Sequence, residues 1–406
     1  MKLFPYQEAG VELIVNRYKD VLLADHPGAG KTAQVIVAAD RLNAKSILVI
    51  CPASLQENWK REFKLWGKLE RQVLIYSYEM AVKKAAKFSA YEFDLMICDE
   101  AHYLKSPKSK RSKVILGQIW ARAKKHVLIT GTPLPNGRAS EGHNIFSKLA
   151  PEEFGDWFKY VSTYCVRTIT PWGINFDKSK NLGVLGDKCK KLFMIRRKRE
   201  ETIGQLPPLV RMQIPITASD QFDLGEAFDE EQALAAIEEG NIMPFASLRQ
   251  KIGLQKTEGA LDYIKTLLNE EKHIVVFAHH HSVIAQLKTA FMVSKISHVT
   301  VTGQSTATEK QQAIDDFQAG EAQVFLGSLL AANVGITLTK SSNVVFVEFD
   351  WVPENNTQAE GRCYRIGQTA ITRSHYLYIP ESIDDGILNV ILQKQKNISK
   401  VLGTTV

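Results

Sequence analysis

Short apolar runs alternate with amphipathic stretches through the first third of the chain. Val21–Ala24, Ser46–Ile50, Val73–Tyr76, Asp94–Cys98 and His126–Ile129 are rich in Val, Ile and Leu and too short for buried helices. Helical spacing follows them, from Lys31, over Leu55–Trp66, around Glu79–Phe88 and near Lys110–Ala121. That alternation predicts a buried parallel sheet with helices on both faces. The pattern stops after Pro133 and resumes at His273, with strands predicted at Ile274–Ala278, Val299–Thr302, Val324–Gly327, Val344–Phe349 and Tyr376–Ile379. Helical stretches at Ser282–Val293 and Thr308–Phe317 lie between them. The expected fold class is α/β: two parallel-sheet lobes of similar grammar with helical insertions between them. The expected boundaries are 1–212 for the first lobe (core 1–137, helical and basic insertion 138–212), 213–262 for an acidic helical linker, and 263–406 for the second lobe.

Composition changes this picture little. The 406 residues are 45% hydrophobic and 23% charged, ordinary for globular domains. The net charge of +7 permits a polyanionic partner without requiring one. Charge is unevenly placed: residues 176–211 hold ten Lys or Arg against four acids, whereas Thr217–Gly240 holds eight acids and no Lys or Arg. Five cysteines lack paired spacing, which suits reduced, buried thiols rather than disulfides or zinc. No apolar run reaches membrane-spanning length, and the N-terminus does not read as a signal peptide. The expected location is cytoplasmic, or nuclear in a eukaryote.

The chemistry begins at Val21–Thr32, where an apolar strand meets Asp25-His26-Pro27-Gly28-Ala29-Gly30-Lys31-Thr32. Gly28 and Gly30 let the backbone approach an anion, and the following helix start offers free N–H groups. Lys31 suits the β- and γ-phosphates of a nucleotide, and Thr32 suits Mg²⁺. Asp99-Glu100-Ala101-His102 follows another strand, at the sheet edge where ligands collect. Asp99 suits a hard cation such as Mg²⁺ and Glu100 the polarisation of attacking water. Thr130-Gly131-Thr132-Pro133 ends the next strand, placed to sense the carboxylates. Far along the chain, Gln358–Gln368 holds Arg362 and Arg365, three apart and predicted to share one helix face. Two guanidinium groups there suit a triphosphate and the charge that develops in phosphoryl transfer. His279-His280-His281 is not read as a metal site, because adjacent histidines point different ways.

In this order the motifs resemble those of superfamily-two helicases, which have two RecA-like lobes with ATP in the cleft between them. Phe4–Gly10, Ile50–Phe63, Asp99–Lys113 and Arg365-Ile-Gly-Gln368 narrow the likeness to Swi/Snf-related DNA-dependent ATPases. Phe277-Ala-His-His280, Ala331–Gly335 and Val345–Phe349 are closest to the annealing-helicase branch. The resemblance implies ATP and Mg²⁺ as cofactors. It implies nucleotide contacts from Gln7, the loop Asp25–Thr32, Gly335, Arg362 and Arg365, with Lys31, Asp99, Glu100, Arg362 and Arg365 catalytic. His26-Pro27 departs from the usual Glu-Met, and Gly361 from the usual Asp. The recognition domains of the annealing branch are not expected in these residues, so the likeness implies the engine and leaves its preferred DNA open.

Leu104–Lys113 carries five positive charges and no acid. With Ser54, Asn58 and Lys60, and Thr337 and Trp351 from the second lobe, Lys105, Lys108 and Lys110 are the expected contacts to a duplex backbone. Arg196–Arg199 reads equally as a further phosphate contact or as a solvated helix face. The expected protein is a monomeric, ATP-driven translocase or remodeller on double-stranded DNA, extending to fork remodelling or strand annealing. Two alternatives stand: a strand-separating DNA or RNA helicase, and a nucleotide-gated DNA-binding scaffold with little turnover. No stretch stands out as a strand-separating wedge.

Overall fold

The computed structural model describes residues 2–170, 173–197, 201, 207–218, 246–329, 336–365, 367–380 and 382–402. Two compact units emerge, 1–204 with 394–406, and 205–393.

In the first unit, β1 (Val21–Leu23), β2 (Ser46–Cys51), β3 (Gln72–Ser77), β4 (Phe93–Asp99), β5 (Ala123–Ile129) and β8 (Met194–Ile195) form one parallel sheet. The order is β3-β2-β4-β5-β1-β8. Every residue of β1, and all but the first of β2, is buried, as expected for strands covered on both faces. Leu22, Leu48, Ile50, Met96 and Leu128 face one apolar layer, and Val21, Leu23, Ile47, Val49 and Ile97 face the other. The two layers are the period-two alternation of the strands made physical. This order puts the carboxyl ends of β8, β1, β5 and β4 side by side, with Leu23 opposite both Ile129 and Ile195, and Asp99 opposite Ile129.

The stretch without clean alternation holds regular elements among its described residues. It holds helices Ala139–Leu149 and Trp157–Tyr164, an antiparallel hairpin of β6 (Cys165–Thr170) and β7 (Gly173–Ser179), and helix Leu182–Leu192. The insertion is therefore not purely helical.

The second unit repeats the architecture with β9 (Leu209–Pro215), β10 (Ile274–Ala278), β11 (His298–Val301), β12 (Val324–Ser328), β13 (Asn343–Phe346) and β14 (Thr372–Tyr378). Its sheet is parallel, in the order β11-β12-β10-β13-β14-β9. Two sequence boundaries shift. Residues 209–215 pair with β14 along their whole length, so they belong to this sheet and not to the first lobe. Helices Ala246–Gln255 and Thr257–Glu270 bury Ile252, Ala260 and Ile264 in this unit's core, so they are not linker. The acidic residues 219–245 lie outside the described residues. Finally, helix Ile383–Leu402 gives Ile387, Leu388 and Ile391 to the second core and Val401 to the first.

Candidate functional site

The loop between β1 and helix Lys31–Arg41 turns through Gly28 (φ 82°) and Gly30 (φ 65°), left-handed backbone that glycine adopts without strain. Gly30 is also pressed by a neighbour: a Cβ there would lie 2.2 Å from Gln7 Nε2. Gln7 is buried, donates to Ala29 O (3.3 Å) and accepts from Phe4 N–H (2.9 Å). It therefore fixes the loop. Lys31 Nζ donates to the carbonyls of Asp25 (2.9 Å) and His26 (3.0 Å). Burial lowers the Lys31 pKa, while Glu100, Asp25 and Asp99 oppose that shift. Thr32 is the second residue of the helix.

Asp25 is wholly buried and its carboxylate is engaged by Arg197, which donates from its backbone N–H (3.0 Å), Nε and Nη2. Arg197 also reaches Tyr6 O and Gln34 Oε1. Arg196 donates to Ala24 O and Gly131 O (3.1 Å) and lies 3.2 Å from His26 Nδ1. Neither arginine is a solvated helix face. Both follow β8, whose place beside β1 delivers them to the loop. Lys198 and Arg199 lie outside the described residues. Spacing along the chain could not show this pairing, because 172 residues separate Asp25 from Arg197. Pro27 has a role too: a Cβ on Gly131 would approach Pro27 Cδ to 3.1 Å, so the small residue lets the Thr-Gly-Thr-Pro turn lie on the loop.

Asp99 closes β4. Its Oδ2 accepts from Trp59 Nε1 (2.9 Å) and its Oδ1 from Glu100 N–H (3.0 Å). Burial, with the neighbouring Glu100 charge, pushes its pKa up to about 6. A desolvated carboxylate beside a second one is a group that gains from a cation. A carboxylate in this setting is the kind of donor that a hard cation such as Mg²⁺ takes. Glu100 sits at φ 52°, left-handed backbone uncommon for a residue with a side chain. Its Oε2 lies 3.2 Å from His102 Nδ1, which lies 3.3 Å from Thr130 Oγ1. Thr130 Oγ1 in turn accepts from Thr132 N–H. One polar chain therefore joins the two motifs within this unit.

In the second unit, helix Pro353–Cys363 ends before Arg365. Arg362 is helical and Arg365 is not, so the expected common helix face does not form. The reason lies in the turn after it: Gln368 Nε2 donates to Ser341 O (2.8 Å), its Oε1 accepts from Thr369 and Ala370 N–H, and Gly367 takes φ 105°. Arg365 Nη1 instead donates to Thr337 Oγ1 (2.8 Å) and Ile336 O (3.2 Å). Thr337 thus holds an arginine, and Trp351 packs half-buried against the core. Gly335 lies outside the described residues. Glu360 is buried between Arg211 (2.7 Å) and Tyr376 Oη (3.0 Å), an anchor for the arginine helix absent from the motif list. His280 pairs with Glu348 (2.6 Å).

The basic stretch divides. Lys105 is paired with Glu141 (2.8 Å), and Arg111 lies over Tyr78 and Tyr103. Lys108, Lys110 and Lys113 are exposed. Ser54 is exposed, Asn58 half-buried, and Lys60 exposed and paired with Glu57. All five cysteines are buried and free. No helix among the described residues is long and apolar enough to cross a membrane.

The SNF2-related domain matches residues 6–71 and 67–224, and the helicase conserved C-terminal domain matches 258–367. The chain belongs to the SNF2-related family. This SNF2-related chain is 29% identical to the mouse DNA annealing helicase and endonuclease ZRANB3, over all of this chain and 41% of that protein. It is 29% identical to the Drosophila melanogaster SWI/SNF-related matrix-associated actin-dependent regulator of chromatin subfamily A-like protein 1, over 98% of this chain and 56% of that one. It spans about half the length of these curated relatives, or less. Among solved structures, the Sulfolobus solfataricus SWI2/SNF2 ATPase core in complex with dsDNA is 21% identical, with a TM-score of 0.45, covering 100% of this chain and 98% of that one.

Proposed function

We propose that this SNF2-related chain is an ATP-dependent motor on double-stranded DNA, a translocase or remodeller whose work extends to fork remodelling or strand annealing. The observation that carries the reading is the convergence of Lys31, Asp99 and Glu100 at neighbouring strand ends, linked through His102 to Thr130. Lys31 binds the β- and γ-phosphates, leaving the loop carbonyls that now accept its protons. Asp99 and Thr32 hold Mg²⁺, which when bound supplies charge neutralisation to the phosphates. Glu100 orients the attacking water and takes its proton, and His102 fixes that carboxylate. Arg362 and Arg365 answer the charge that develops in transfer. The exposed Lys108, Lys110 and Lys113, with Ser54, grip phosphates without reading bases. The relatives' names, one an annealing helicase, support the choice of DNA work.

Phosphate release measured with duplex, single-stranded, forked and RNA substrates tests this. Duplex should stimulate most, and Lys31→Ala or Glu100→Gln should abolish the stimulation. Absence of duplex stimulation at low salt would sink the reading. Triplex displacement without unwinding supports the translocase, and unwinding of a forked duplex supports the helicase alternative.

A further inference from the structure

The hairpin of β6 and β7 is unlike the rest of the first unit. It is a two-stranded sheet of its own, and such ribbons are marginal without support. Its base has that support. Phe176 meets Trp157 edge to face at 6.1 Å, Asp177 pairs with Arg138 at 3.0 Å, and Ser179 Oγ accepts from Ala139 N–H at 2.8 Å. Above the base the register shifts by one residue, so that Phe176 and Asp177 together oppose Arg167. A bulge of this kind bends a ribbon and re-aims what lies beyond it. Beyond it Ile169 and Ile174 stand directly opposite each other, 78% and 54% exposed.

Two isoleucines side by side in water on a braced, bent ribbon have no part in the core. From the bulge to the base the ribbon is cationic: Arg167 at the bulge and Lys178 and Lys180 below it are exposed, and Asp177, the one acid of the ribbon, is taken by Arg138. An apolar pair bordered by positive charge is complementary to a base face bordered by phosphates. A continuous duplex hides its base faces in the stack. A branch point exposes one.

We propose that Ile169 and Ile174 form an apolar wedge that packs on the terminal base pair at a DNA branch point, with Arg167 and Lys178 on the adjoining phosphates. The proposal rests on the DNA reading above and names the structure that reading prefers. The hairpin then separates or re-pairs strands at the junction, and the motor site supplies the movement.

The test is the Ile169→Ser/Ile174→Ser double variant, assayed on plain duplex and on a fork with 2-aminopurine at the junction. Plain-duplex ATPase should stay within about two-fold of wild type, while the ATP-independent rise in 2-aminopurine fluorescence disappears and fork conversion slows about ten-fold or more. Ile169→Leu/Ile174→Leu should restore both fork signals. The proposal is overturned if the serine variant handles forks like wild type, or if it loses plain-duplex ATPase to the same degree. It is also overturned if wild type self-associates and the serine variant does not, since the pair would then meet another copy of the chain. The fluorescence arm needs no ATP, so it judges the wedge even where wild type fails to turn ATP over and the motor reading falls.

Discussion

Asp99 combines a buried position, a carboxylate neighbour and an indole N–H, and the balance sets its protonation. With its pKa at about 6, it keeps a proton in the folded chain at pH values where an exposed aspartate has lost it. The folded state thus binds the extra proton between the ordinary aspartate pKa and about 6. Asp99's contribution to stability is greatest on the acid side of that window and is lost as pH rises through about 6. The proposed function runs the other way, since only an ionised carboxylate would hold a divalent cation. On the proposed reading, ATP turnover at sub-saturating Mg²⁺ should fall as pH drops through about 6, where the proton competes with the cation, and Trp59→Phe, by removing a bond to the charged form, should move that acid limb to higher pH. A pH–rate profile unchanged by the substitution would count against this. Arg197 is the counterpart on the other side of β1. Truncating it leaves Asp25 buried and unpaired, a loss of about 3–5 kcal/mol that denaturant titration of Arg197→Ala should read.

Among elements, the two arginines were placed on one helix face by their spacing, and the chain folded otherwise. Arg365 leaves the helix because the Gln368 side chain gathers three nearby carbonyls and two amides into a turn. Its guanidinium is then set by the Thr337 hydroxyl. Thr337→Val should lower kcat by about ten- to a hundred-fold through misplacement alone, with the affinity for ATP little changed. Steady-state kinetics with a binding measurement separate the two. The strands β2, β4, β10 and β12 were legible because each is a run of buried apolar residues. β8 was not, being two residues long, and β9 was not, because its alternating exposure belongs to a sheet edge. The hairpin stayed hidden because its isoleucines face water and so break the rule that apolar periodicity marks a core. The phosphate loop and the carboxylates could be read as local motifs. Their supports, Trp59 for Asp99 and Arg197 for Asp25, come from strand order, which no local pattern encodes.

Over the whole molecule, the net charge of +7 matters less than where cations remain exposed. Lys108, Lys110 and Lys113 qualify, whereas Lys105, tied to Glu141, does not. Replacing each of the three by Gln should weaken duplex binding without changing sequence preference. Each should also reduce the slope of log K against log salt by about one, and Lys105→Gln by less. Binding titrations across a salt series decide it. Gly186 offers a second prediction, on stability. Within a helix, Gly→Ala ordinarily stabilises by about 0.5–1 kcal/mol. Here an added Cβ would lie 1.9 Å from the carbonyl oxygen of Val401, so Gly186→Ala should lower the melting temperature of the first unit instead.

That close approach has a consequence for synthesis. Val401 joins a core whose other buried members run only as far as Met194. A ribosome making this chain finishes the segments that carry Lys31, Asp99 and Thr130 early. The last piece of the packing beneath them is still untranslated while the entire second sheet is being made. The first lobe therefore waits, nearly built, until residue 401 has been added, and a nascent chain stalled before it leaves that core open.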